Sequence, residues 1–186
     1  RYGLVPDKQE ELERTLRQAL VENDVVFLSG GSSIGVRDLS LAVIESMDNS
    51  EILAHGVAMS PGKPVILARV GDKAVWGLPG QVASAQVVML VLGCPFLKYI
   101  GGDSEALHGP MAMHRTMPLS RNLPSKQGRE DWVRVKIVQQ GGQEYAEPVF
   151  GKSGLLRTLL KAQGMVCIPA ESEGLDQDSP VPVWLF

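Results

Sequence analysis

The chain of 186 residues has few cysteines, histidines and aromatics: two Cys, three His, and Phe, Trp and Tyr together at 5%. Cys94 and Cys167 lie far apart in apolar stretches (GCPF and VCIP). A disulfide framework or a cysteine zinc site is therefore not expected, and both read as reduced, buried thiols. His55, His108 and His114 lack metal-ligand spacing and read as surface or rim residues. Neither sign of charge dominates. With 18 basic and 21 acidic residues and a net charge of −3, double-stranded nucleic acid is not an expected partner, because counterion release needs clustered Lys and Arg. The most apolar stretch, Val82 to Tyr99, is broken by Gln86, Gly93 and Pro95. It falls short of the ~20 residues a bilayer needs, so no membrane partner is expected. Arg1-Tyr2-Gly3-Leu4 leads straight into a helix start, so no signal peptide is expected and the reading is cytoplasmic.

What remains is an ordinary globular composition, 44% apolar and 21% charged. At about 150 residues per domain the length gives one to two domains. Such a chain buries roughly 70% of its unfolded surface and needs no staple.

Two rhythms divide the sequence. Up to about Gly102, helices and strands alternate. Asp7 reads as an N-cap with Glu10 as its capping-box partner, and Leu12, Leu16 and Leu20 mark one helix face. Val25 to Leu28 reads as a strand buried on both faces, and a glycine-rich loop, Ser29 to Gly35, follows. A helix over Leu39 to Met47 comes next, then Ile52 to Met59, the turn Ser60 to Pro64, and the strand Val65 to Arg69. Gly71-Asp72 turns into Ala74-Val75-Trp76, and Gly77-Leu78-Pro79-Gly80 opens a helix over Val82 to Tyr99. This order predicts a mixed α/β layer with ligand loops at one edge of the sheet. From Asp103 onward, short strands dominate: Val133, Val135 and Ile137 alternate with Arg134 and Lys136. Glu144 to Val149, Gly164 to Ile168 and Val181 to Phe186 follow, with one helix over Leu155 to Ala162. That pattern predicts a small all-β, barrel-like domain.

Three loops could carry chemistry. Gly30-Gly31-Ser32-Ser33-Ile34-Gly35 follows a buried strand, so its backbone N–H groups can approach an anion, or it is simply a tight turn. It is not the dinucleotide fingerprint, because Ser32 stands where GxGxxG needs glycine. Asp38 is either an N-cap for the next helix or a carboxylate placed for Mg²⁺ or a ligand amine, and Asp7 carries the same ambiguity. Pro61-Gly62-Lys63-Pro64 holds its ammonium on a stiff backbone, and Gly77-Leu78-Pro79-Gly80 is a second rigid loop. Phe150-Gly151-Lys152-Ser153 mimics the end of a P-loop, but Ala146 occupies the first glycine position.

In combination, SGGSSIGVRD (29–38), PGKP (61–64) and GLPGQVASA (77–85) resemble the molybdopterin molybdenumtransferase family, which includes the E domain of gephyrin. GREDWVRV (128–135) is similar to that family's GRxEFxRV segment, and GKSG (151–154) to its closing stretch. The resemblance covers nearly the whole chain and corresponds to the family's C-terminal part. It implies an α/β mixed-sheet, three-layer molybdopterin-binding domain over 1–103, incomplete at its N-terminus, followed by a barrel-like domain over 108–186. It further implies insertion of molybdate into adenylylated molybdopterin with Mg²⁺-dependent release of AMP, by a cytoplasmic homodimer. On matched positions, Asp7 and Asp38 would be catalytic acids, with Asp38 on the metal. Gly30, Gly31, Ser33, Pro61, Gly62, Lys63, Pro79, Gly80 and Ser84 would bind the molybdopterin. Lys63, Arg129 and Ser153 would bind the oxyanion. Capture of a dianion by Lys, Arg, hydroxyl and N–H donors agrees with general chemistry.

The pattern departs from the family at Gln81-Val82, where Asn-Pro is usual, at Ser60 and Gly56, where basic residues are usual, and at Val36, often acidic. Two missing cations should weaken oxyanion binding, which fits a divergent subgroup, a tungstate preference or reduced activity; a non-catalytic scaffold and a sensing module using the same pocket without turnover are the alternative functions. Trp76, Trp132 and Trp184 read as scattered, which argues against an aromatic docking stripe.

Overall fold

The computed structural model describes residues 1–30, 39–106, 114–151 and 156–186, without the side chains of 156–158. Two compact units emerge: Arg1–Val57 with Gly62–Ala85, and Ala58–Pro61 with Gln86–Phe186.

The first unit contains α1 (Gln9–Glu22), β1 (Val25–Ser29), α2 (Leu39–Glu45), β2 (Ser50–His55), β4 (Ile66–Val70) and β5 (Lys73–Leu78); β3 (Met59–Ser60) falls in the second. Asp7 does not cap α1. The N-cap position is Lys8, which makes no side-chain cap bond. A turn from Lys8 N–H to Pro6 O (2.7 Å) makes Lys8 O the first acceptor of the helix, taken by Leu12 N–H at 3.0 Å. Asp7 therefore stands one residue too early, and Glu10 and Glu11 complement the positive helix end electrostatically instead. Of the predicted leucine face, Leu16 is buried and Leu12 and Leu20 are half-buried against the same core, with Ala19 buried beside them.

The sheet order is β1-β5-β4-β2, with β1 parallel to β5 and the other pairs antiparallel. Val26, Val75, Ala68 and Ile66 share the face that packs on Val43, Ile44 and Met47 from the α2 region. Phe27 and Trp76 meet on the opposite face, ring centroids 5.7 Å apart. The expected strand 52–59 is split. A bulge shifts its register between Ile52 and Ala54, and Gly56 turns the chain at φ +91.

Gln86, Gly93 and Pro95 do not interrupt the next helix. It runs as α3 (Val82–Val88), a π-turn (Met89–Gly93) and α4 (Cys94–Ile100). The Cys94 N–H reaches back to Met89 O, and Pro95, which has no N–H, sits in the first turn of α4. A Cβ on Gly93 would lie 2.7 Å from the Met89 sulfur, so glycine leaves the space that side chain fills. By length and composition alone this helix of 19 residues could cross a bilayer, a test that core helices also pass.

The rest of the second unit holds β6 (His114–Pro118), β7 (Leu123–Pro124), β8 (Glu130–Gln140), β9 (Gln143–Pro148), α5 (Leu156–Lys161), β10 (Gly164–Ile168), β11 (Gly174–Leu175) and β12 (Pro180–Leu185). Its main sheet runs β3-β8-β10-β12-β6, and β9 also pairs β8. Leu119, just past β6, bridges to Ala146 on β9. The sheet curls back on itself but joins by one bridge rather than a full ladder, so it is not a closed barrel. Val135, Val166, Ile168, Val181 and Val183 fill its core face. On the other face Trp132 and Trp184 are not scattered: their rings lie 5.3 Å apart, and His114 stands 6.1 Å from Trp184.

Candidate functional site

Register places the loops of the first unit. Ser29 at the end of β1 pairs with Leu78 at the end of β5. Ile66 at the start of β4 pairs with Gly77. The glycine-rich loop, the PGKP loop and the GLPG loop therefore leave one end of one sheet, the carboxyl ends of its two parallel strands, where α/β sheets bind ligands. Contact is direct between two of them: a Cβ on Gly80 would lie 3.6 Å from the Gly30 Cα. Ser40, at the start of α2, donates to Gly30 O at 3.0 Å and fixes the loop's entry. Gly30 itself has φ +109, a conformation that favours glycine.

A cavity of about 550 Å³ runs along the edge strand β1 from Val25 to Gly30, lined also by the N-terminal segment with Asp7, by Leu12, Leu16 and Ala19 of α1, and by Leu39 and Ser40. That volume suits a small-molecule ligand. Asp7 thus shares a cavity with Gly30 although its capping role is lost. Pro79 is buried, Gly80 exposed, and Ser84 is buried in the first turn of α3.

The PGKP loop is closed by Gly56 N–H to Val65 O (2.8 Å) and Val57 N–H to Lys63 O (3.0 Å). Gly62 has φ +122, and Lys63 is exposed. The two missing cations acquire a structural context here. A Cβ at Gly56 would meet Lys63 O at 3.4 Å in a left-handed conformation, so this loop is built for glycine. Ser60 lies opposite Asp131 in the parallel pairing of β3 with β8.

In the second unit, Arg129 forms an ion pair with Asp131, Nε to Oδ1 at 3.1 Å. Ser125 Oγ also donates to that carboxylate. Arg134, which sequence reasoning did not single out, is the most unusual charge among the described residues. It is 8% exposed, and its Nε and Nη1 lack partners. Burial lowers its pKa from the ordinary arginine value. A desolvated guanidinium of this kind calls for an anion. Its position on the non-core side of an alternating strand predicts exposure, so no sequence signal marks it.

Gly31, Ser33, Asp38 and Ser153 lie outside the described residues. Among the described residues no group of three His, Cys, Asp or Glu could hold a metal, and Asp7 alone does not make a Mg²⁺ site.

Comparison with known proteins agrees with this fold. Residues 1–99 match the family described as "Probable molybdopterin binding domain", and residues 116–186 match the "MoeA C-terminal region (domain IV)". A Methanocaldococcus jannaschii protein named "Putative molybdopterin biosynthesis protein" is 32% identical over 187 residues, covering 100% of this chain and 42% of that one. The molybdopterin molybdenumtransferase of Haemophilus influenzae is 28% identical, covering 99% and 45%. The solved structure of a molybdopterin biosynthesis MoeA protein from Pyrococcus horikosii superposes with TM-score 0.76 at 31% identity, covering 99% of this chain and 42% of that one. The chain spans less than half the length of these relatives. It belongs to the molybdopterin-binding domain family, in the form joined to the C-terminal domain of the molybdenumtransferases.

Proposed function

We propose that this chain is the pterin- and oxyanion-binding part of an enzyme that inserts molybdate into adenylylated molybdopterin and releases AMP. One observation carries the reading: three glycine- and proline-stiffened loops leave the same end of one sheet. Backbone N–H groups of the glycine-rich loop, with Gly30, Gly31 and Ser33, bind ligand phosphate. Pro61, Gly62, Pro79, Gly80 and Ser84 shape the walls that hold the pterin. Lys63, Arg129 and Ser153 bind molybdate as a dianion, and Arg134, on the other face of β8 from Asp131, is a separate buried donor that an anion would satisfy. Asp7, in the cavity beside Gly30, and Asp38 supply the acidic groups. Mg²⁺ would draw on Asp38 and would supply charge neutralisation at the phosphoanhydride. The whole protein acts as a homodimer in the cytoplasm.

The test is a turnover assay: incubate the chain, and separately the longer protein that contains it, with adenylylated molybdopterin and molybdate, then measure AMP. AMP release that depends on molybdate supports the transferase. Tight pterin binding without AMP from either form would replace it with a sensing module that uses the same pocket without turnover. Absence of both overturns the proposal.

A further inference from the structure

We infer that Asp131 is a positioning residue that presents Arg129 to an oxyanion, a role that rests on the oxyanion reading of Arg129 above. The backbone around the pair is held on several sides. Gly128 N–H bonds Ala170 O at 2.7 Å, and Glu130 N–H bonds Ala58 O at 2.9 Å. Asp131 is registered between Ile168 on β10 and Ser60 on β3. Its carboxylate is only 14% exposed, while the Arg129 side chain is 45% exposed. The buried partner is thus the fixed one, and the arginine is the one that reaches solvent.

The contact is specific to one edge of the guanidinium. Nε meets Oδ1 at 3.1 Å and Nη2 meets Oδ2 at 3.5 Å. Ser125 Oγ donates to the same Oδ2, and Ser125 is itself anchored by its N–H to Glu173 O at 2.7 Å. A guanidinium is planar, with its donors in a fixed fork. With the Nε edge occupied, the Nη1–Nη2 edge has no further partner among the described residues and can grip two oxygens of a tetrahedral oxyanion. Arginine loses much rotamer freedom when it binds an anion. Here the carboxylate removes that freedom beforehand, while its own charge repels the oxyanion.

These opposing effects make the inference separable from simple electrostatics. Asp131→Asn removes the charge but keeps an acceptor for Nε, whereas Asp131→Ala removes both. If only charge matters, the two variants bind an oxyanion equally. If orientation matters, Asp131→Ala binds about fivefold more weakly than Asp131→Asn, a gap that persists at high ionic strength. Ser125→Ala should fall between wild type and Asp131→Ala. The probe is sodium molybdate titrated into the chain by calorimetry, with thermal unfolding checked for each variant.

A second readout needs no bound anion: ¹⁵N relaxation of the Arg129 Nε–H group. It should be rigid in the wild type and become mobile in Asp131→Ala. Equal affinities for the Asn and Ala variants, or an Nε–H equally mobile in wild type and Asp131→Ala, overturn the positioning role. Arg129→Ala is the control for the parent reading. If that variant binds molybdate as wild type does, the oxyanion assignment of Arg129 fails, whatever the relaxation data say about Asp131.

Discussion

Ser60 and Asp131 face each other across the parallel ladder of β3 and β8. The residue just before the PGKP loop is therefore tied by backbone register to the strand that follows Arg129. Neighbours in such a ladder project from the same side of the sheet. Ser60 stands where the family usually carries a basic residue, so a lysine there would add a cation beside the Arg129–Asp131 pair. Ser60→Lys is expected to tighten molybdate binding about threefold to tenfold at low salt, as for a partly exposed charge-assisted contact. The gain should shrink in several hundred millimolar salt. Calorimetric titration at two ionic strengths checks this, and an unchanged affinity at low salt would place Ser60 away from the anion.

Restoring the other family cation should behave differently. Gly56 has φ +91, a conformation L side chains rarely adopt, and a Cβ there would lie in van der Waals contact with Lys63 O at 3.4 Å. Gly56→Lys is therefore expected to cost about 1–2 kcal/mol of stability, read as a lower urea midpoint with an unchanged slope. Gly56→Ala should cost nearly as much, because backbone conformation and not side-chain length is the source. A neutral Ala variant would contradict that account.

The sequence made the first unit readable because its loops are local signals: glycine and proline mark the turns, and the runs between them are long enough to assign. Leu12, Leu16 and Leu20 pack on the core as their spacing predicts, Leu16 fully buried, and the hairpin at Gly71 forms as read, with φ +59. The misreadings have long-range or competing local causes. Asp7 loses its capping role to a turn closed on Pro6 O. Met59, the end of the expected strand, and Ser60, read as the start of a turn, pair with β8 instead. The helix over Val82 to Tyr99 runs through Pro95 as read, but the π-turn at Met89–Gly93 that precedes it carries no local signal. In the site, the glycines were legible and the electrostatics were not. That Arg134 is buried and Asp131 grips Arg129 depends on what packs around a strand, which alternation cannot reveal.

Cys167 offers a pH test of that packing. It is half-buried, and its pKa is pushed up from 9.0 to about 12, first by burial and then by Glu130, Asp131 and Glu171. The folded thiol keeps its proton where the unfolded one loses it. Its contribution to stability is thus fully present below pH 9.0 and is lost as pH rises toward about 12. At pH 8 the folded chain should alkylate at Cys167 about a thousandfold more slowly than an unstructured cysteine. Urea should restore ordinary reactivity. Mass spectrometry of iodoacetamide-treated protein reads both, and fast labelling of the folded chain at pH 8 would refute the buried, acid-flanked setting.

Arg134 gives the sharpest separation of stability from function. Its Nε and Nη1 are buried without partners, so the folded chain pays for desolvating a cation with little return. A methionine of similar length would fill the same space beside Met165, its register neighbour on β10, with no charge to desolvate. Arg134→Met is therefore expected to raise stability by about 1–3 kcal/mol, as apolar replacement of buried charge has done elsewhere. The same change should weaken molybdate binding at least tenfold, and Arg134→Lys, which keeps the charge but not the fork, should recover only part of it. Urea unfolding and calorimetry on the three proteins decide the matter. If the methionine variant loses stability and keeps its affinity, the guanidinium supports the fold and not an anion. If it gains stability and loses affinity, the strain of an unpaired charge is retained for the ligand it awaits.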